Sequence, residues 1–121
     1  MSKVDMELKK AFTELQEKKA ETGQKLRLAT VQIEALKRAK LHASMTEREI
    51  SALDPETRTY ESVGRMFLLT PKEQATENIK KRQSKAEEKI KTLEGQMVYL
   101  ENSLKEATDS LRELVQQKKD S

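Results

Sequence analysis

Apolar residues recur along this chain at alternating steps of four and three in two long stretches, separated by a short segment with a different period. In the first stretch Leu8, Phe12, Leu15, Lys19, Thr22, Leu26, Ala29, Ile33, Leu36, Lys40 and Ala43 hold the spacing. In the second it is held by Ile79, Gln83, Ala86, Ile90, Leu93, Met97, Leu100, Leu104, Ala107, Leu111 and Leu114. A heptad repeat of this kind keeps one narrow seam of a helix facing a partner and predicts a left-handed coiled coil.

The first helix is expected to start near Ser2 to Asp5, where Asp5 and Glu7 favour the positive end of the helix dipole. It covers residues 1–43. Residues 44–57 read as a connector: Thr46-Glu47-Arg48-Glu49 has the form of a capping box and predicts a short second helix, which Asp54-Pro55 ends. Residues 58–69 change period. Thr59, Tyr60, Val63, Phe67 and Leu69 are β-branched, aromatic or bulky, and Gly64 supplies a low-cost positive-φ position. They predict a β-hairpin with strands at about Arg58 to Ser62 and Arg65 to Leu69, turning at Val63-Gly64. Thr70-Pro71-Lys72-Glu73 then offers an N-cap hydroxyl, a proline at the first helical position and a glutamate at the third, so the last helix spans residues 70–121.

With so short an intervening segment, the two helices are expected to fold back as an antiparallel pair. Layers such as Phe12 with Ala107, Leu26 with Leu93, Ala29 with Ile90 and Ile33 with Ala86 then set large residues against small ones. The fold class is mainly α, a long antiparallel coiled-coil hairpin of two helices joined by a β-hairpin. Gly23 and Gly95 fall at similar heights and mark either a soft joint or two tolerated glycines.

Composition narrows the possibilities. Of 121 residues, 37% are charged, 35% hydrophobic and only 3% aromatic, too little bulky apolar material for a thick core. Lys and Arg total 24 against 21 Asp and Glu, and the signs interleave, so the surface is a solvated mixture rather than a nucleic-acid face. Without cysteine there is no disulfide or thiol chemistry, Met1 to Lys10 lacks the apolar run of a signal peptide, and no stretch suits a membrane span. A soluble cytoplasmic protein, with the nucleus as a second compartment, is the expectation.

An isolated two-stranded hairpin is marginal in water and exposes unpaired backbone along both edges. Tyr60, Val63, Met66, Phe67, Leu68 and Leu69 around Gly64 make this one apolar on both faces. It is expected either to join hairpins of other chains in a shared sheet or barrel, or to fold onto its own helices.

The order helix, hairpin, helix, together with Tyr60-Glu61-Ser62-Val63-Gly64-Arg65-Met66-Phe67 and the opening run from Asp5 to Gln16, resembles the β-class subunits of prefoldin in its eukaryotic form. The resemblance covers nearly the whole chain. It implies a hetero-hexamer of two α-class and four β-class subunits, whose hairpins build a double β-barrel platform and whose coiled-coil arms surround a cavity. It also implies a co-chaperone that works without ATP, capturing unfolded actin and tubulin and passing them to the cytosolic chaperonin.

Nothing in the sequence suggests an enzyme, a metal site or a cofactor. His42 is the lone histidine, placed near the expected end of the first helix, where its cationic form would suit the dipole. Acidic residues often precede a lysine by four, as Glu14 precedes Lys18 and Glu87 precedes Lys91, and read as helix support. Client capture is expected at the arm tips, where Val4, Met6, Leu8, Phe12, Leu111, Leu114 and Val115 collect. Apolar side chains there bind unfolded segments weakly and gain affinity by multivalency. Alternatively they simply close the coiled coil. A coiled-coil tether or adaptor is the other reading, although it leaves the apolar hairpin without a purpose.

Overall fold

The computed structural model describes residues 2–120; the two outermost positions of the sequence-derived ranges, 1 and 121, lie outside the described residues. The elements run α1 (Lys3–Ser51), β1 (Thr59–Val63), β2 (Met66–Thr70) and α2 (Lys72–Asp120). Each helix has 49 residues. The chain divides into two compact units. A terminal unit comprises Met1–Gln32 and Leu93–Ser121, and a hairpin unit comprises Ile33–Thr92.

Ser2 starts α1. Its Oγ accepts the Asp5 amide at 3.2 Å and its carbonyl accepts the Met6 amide at 3.2 Å, as an N-cap residue does. The helix then runs without a break through Ser44 and Thr46, so the separate short helix expected in the connector does not exist. The reason is local: Thr46 Oγ1 donates to the His42 carbonyl at 2.9 Å, a bond made inside a continuing helix rather than at a cap. His42 is therefore nine residues from the end of α1, too far for the dipole role expected of it.

Beyond Ser51 the chain closes a turn in which the Asp54 carbonyl accepts the Thr57 amide at 2.9 Å and Asp54 Oδ1 accepts the Glu56 amide at 2.9 Å. Pro55 has the pre-set φ such a turn uses. The hairpin pairs Thr59 with Thr70, Tyr60 with Leu69, Glu61 with Leu68, Ser62 with Phe67 and Val63 with Met66. Its two-residue loop is Gly64-Arg65, one position beyond the expected turn. Gly64 has a φ of 61° and no other described residue has positive φ, the pattern of a II′ turn that suits the strands' twist.

Thr70 is buried at the end of β2, and its hydroxyl donates to the Leu68 carbonyl at 3.0 Å. It thus serves the hairpin rather than capping α2 as expected. Pro71 takes that place, its carbonyl accepting the Ala75 amide at 2.9 Å, and α2 begins at Lys72.

Within each unit the α1 and α2 segments are antiparallel. In the hairpin unit Lys40 pairs with Glu87 and, further along α1, Glu47 pairs with Lys80 further back on α2. In the terminal unit Asp5 pairs with Lys118, and Lys18 reaches Ser103.

The seam of α2 lies where the heptads place it, with Ile79, Ala86 and Ile90 buried and Leu93 to Leu114 half-buried. The seam of α1 does not. In its first half the covered positions are Leu8, Ala11, Leu15, Lys18 and Thr22, followed by Leu26 and Ala29. Two successive steps of four, from Lys18 to Thr22 to Leu26, form a stutter that shifts the phase of everything before it. Phe12 and Lys19 consequently leave the seam, and Ala11, not Phe12, shares a cavity lining with Ala107.

Candidate functional site

Two sets of residues carry the functional expectations, one in each unit. The hairpin set divides by the alternation of the strands. One face bears Thr59, Glu61 and Val63 with their partners Thr70, Leu68 and Met66. Its base is held to the helices: Glu61 Oε1 accepts a hydrogen bond from Asn78 Nδ2 at 2.9 Å, and Thr59 and Thr70 are shielded. The other face presents Tyr60 beside Leu69 and Ser62 beside Phe67, and Phe67 is 71% exposed. Val63, Met66, Leu68, Leu69 and Tyr60 are exposed as well. Folding onto the chain's own helices thus covers the threonines and leaves the large apolar side chains in water. Gly64 stands at the loop with nothing within 4 Å of an added Cβ, so its φ alone demands glycine.

The terminal set separates into two groups. Val4, Met6 and Phe12 point outward, Phe12 at 54% exposure. Leu8, Leu111, Leu114 and Val115 are half-buried along the seam. Leu111 and Leu114 line a cavity of about 300 Å³ with Ala11, Leu15 and Ala107, whereas Met6 lines a shallower groove with Lys9, Lys10 and Thr13. Lys18 enters the seam with its alkyl stem and donates from Nζ to Ser103 Oγ at 3.0 Å.

Charge organises the hairpin unit more than the terminal one. Lys40 Nζ lies 2.5 Å from Glu87 Oε2, and this contact holds the Glu87 carboxyl below its ordinary range. Glu47 accepts from Gln83 Nε2 at 3.2 Å and lies 4.0 Å from Lys80 Nζ. Sequence reasoning passed over a basic stripe on the other flank of α2, at Arg82, Lys85 and Lys89; its signal was the spacing of three and four. Among the described residues no group of three or more His, Cys, Asp or Glu is placed to hold a metal, and no helix is long and apolar enough to cross a membrane.

Residues 13–118 match the family model described as prefoldin subunit. Prefoldin subunit 1 of Bos taurus is 55% identical over 112 residues, covering 93% of this chain and 92% of the relative. That of Homo sapiens is 54% identical over the same shares. Among solved structures, the prefoldin beta subunit from Thermococcus strain KS-1 superposes with a TM-score of 0.73 at 23% identity, covering 93% of this chain and 96% of that one. Helices bracketing a hairpin whose apolar face finds no cover within its own chain are what a subunit made to assemble looks like, and with these matches the chain belongs to the prefoldin subunit family, a component of the prefoldin co-chaperone that assembles with other prefoldin subunits.

Proposed function

We propose that this chain is a β-class subunit of the hexameric, ATP-independent prefoldin, that its hairpin joins those of its neighbours in a shared barrel, and that the helix ends of its terminal unit capture unfolded or nascent polypeptides. Actin and tubulin are the expected clients, the cytosolic chaperonin the recipient, and the cytoplasm, with the nucleus, the compartment. The observation carrying the capture reading is Phe12. The stutter turns this large aromatic out of the seam of a unit in which Met6 and Val4 are exposed as well, and the unit's own core gains nothing from its exposure. Exposed apolar groups contributed by several subunits bind one extended client weakly at each point and strongly together.

Substituting serine for Val4, Met6 and Phe12 should leave the hexamer intact and weaken its suppression of aggregation of denatured actin several-fold. Full protection by an intact mutant hexamer would refute capture at these residues. In the complementary variant, Phe67→Asp, a charge replaces the most exposed apolar group of the hairpin. Helicity should survive in circular dichroism while the hexamer is lost in light scattering, because an unpaired charge in an interface is strongly disfavoured.

A further inference from the structure

The two flanks of the seam in the hairpin unit are built differently. On α2 the buried stripe Ile79, Ala86, Ile90 separates Lys80, Gln83 and Glu87 from Arg82, Lys85 and Lys89. Across the first flank α1 presents Lys40 and Glu47, and the charges close: Lys40 on Glu87, Glu47 on Lys80 and Gln83. This is the interhelical pairing expected of positions beside a heptad seam. Across the second flank α1 presents Ala39, His42 and Thr46, with no carboxylate. Arg82, Lys85 and Lys89 have no ion pair among the described residues.

Where the missing side chains would stand there is a groove of about 460 Å³. Its floor is apolar, from Leu36, Ala43, Ile79 and Ala86, and its rim is basic. A long side chain at Ala39 or Thr46 would fill it, and an acidic one would also neutralise the stripe. The coiled coil supplies neither.

We propose that this groove is a docking site for an acidic amphipathic segment of another polypeptide, which lies along the two helices as a third. Its apolar side chains take the space left by Ala39 and Ala43, and its carboxylates meet Arg82, Lys85 and Lys89. Charge complementarity selects the occupant: a basic segment would be repelled, and a purely apolar one would leave three cations desolvated and unpaired. The site shares no residue with Val4, Met6 and Phe12, and the groove at Met6 carries both signs, Lys9 and Lys10 with Glu14 and Glu17, so an acidic partner and an unfolded client need not compete.

The test uses the full chain and fluorescence anisotropy. The probe is a labelled synthetic helix of about five turns, with leucines at heptad spacing flanked by glutamates. Arg82→Gln, Lys85→Gln and Lys89→Gln together should weaken binding about tenfold or more, three lost charge contacts acting in concert. Ala39→Glu, which places a carboxylate of the chain itself across the groove, should do the same with helicity retained. Lys37→Gln, Lys91→Gln and Lys105→Gln remove an equal charge from exposed positions outside the groove and should change affinity less than twofold. Equal weakening by that control set would overturn the proposal, since net charge alone would explain it. Binding of polyglutamate or of an oligothymidylate as tight as that of the probe would also overturn it, showing a plain anion surface. So would undiminished binding to Ala39→Glu.

Discussion

The hairpin unit and the terminal unit are cut from the same two helices and share one heptad spacing, yet they bury very different amounts of it. Among the described residues, six of the seven buried hydrophobic ones, Ile33, Ala43, Ala75, Ile79, Ala86 and Ile90, belong to the hairpin unit; the terminal unit has Ala29, with the buried Thr22. The difference comes from which residues stand at the seam. Near the hairpin they are isoleucines and alanines that interdigitate, and ion pairs close one flank. In the terminal unit the stutter brings Lys18 into the seam beside Thr22 and expels Phe12 and Lys19. A closely packed segment anchors, and a loosely packed one keeps apolar surface available. One repeat thus yields both kinds of packing by a change of phase.

The largest test of this contrast is a pair of equal truncations. Ile90→Ala should cost about 2–4 kcal/mol, because Ile90 is only 5% exposed and its removal leaves a cavity. Leu15→Ala, at a half-buried position, should cost nearer 1 kcal/mol. Thermal unfolding combined with amide exchange resolved by unit would show it. Equal losses in the two variants would break the distinction.

A smaller effect is expected at Gly23 and Gly95, both within the terminal unit. A Cβ at Gly23 would meet Arg27 Nη1 at 3.6 Å, an ordinary contact, and one at Gly95 would meet open space. Alanine at both should therefore raise stability by up to about 1 kcal/mol each through helix propensity. If the glycines act as a soft joint, exchange in the terminal unit slows while the hairpin unit is unchanged. An increase in melting temperature without that local slowing would mean two tolerated glycines and no joint.

The smallest effect concerns pH. The Lys40 ammonium holds the Glu87 carboxyl below its ordinary range. A carboxyl depressed in the folded state stabilises it above the unfolded value, near 4.3, and that contribution fades as pH falls through the lower folded value. The pair is exposed, so the change should be slight and weaker in high salt. Acid titration of amide exchange should show it in the hairpin unit and lose it in Lys40→Gln. A titration unaltered by Lys40→Gln would detach the pair from the stability of that unit.

The sequence by itself determined the two long helices with a hairpin between them, its required Gly64, and the whole seam of α2, though not the unbroken run of α1 through Ser44 and Thr46. Periodicity and turn chemistry are local, and α2 obeys an unbroken heptad that needs no partner to be seen. Tertiary structure alone decided the rest. Thr46 and Thr70 carry hydroxyls that suit a cap or an internal bond equally well, and only the neighbouring backbone chose the internal bond in each case. The phase of α1 before Thr22 went the same way: Leu8, Leu15 and Thr22 belong to both seams, and only Phe12 with Lys19, or Ala11 with Lys18, tells them apart. Packing against Ser103 and Ala107 of α2 settled it, because a lysine stem and an alanine fit where a phenylalanine would force the helices apart. The basic groove was hidden for the same cause, since a stripe of cations becomes a site only when the opposite helix fails to answer it.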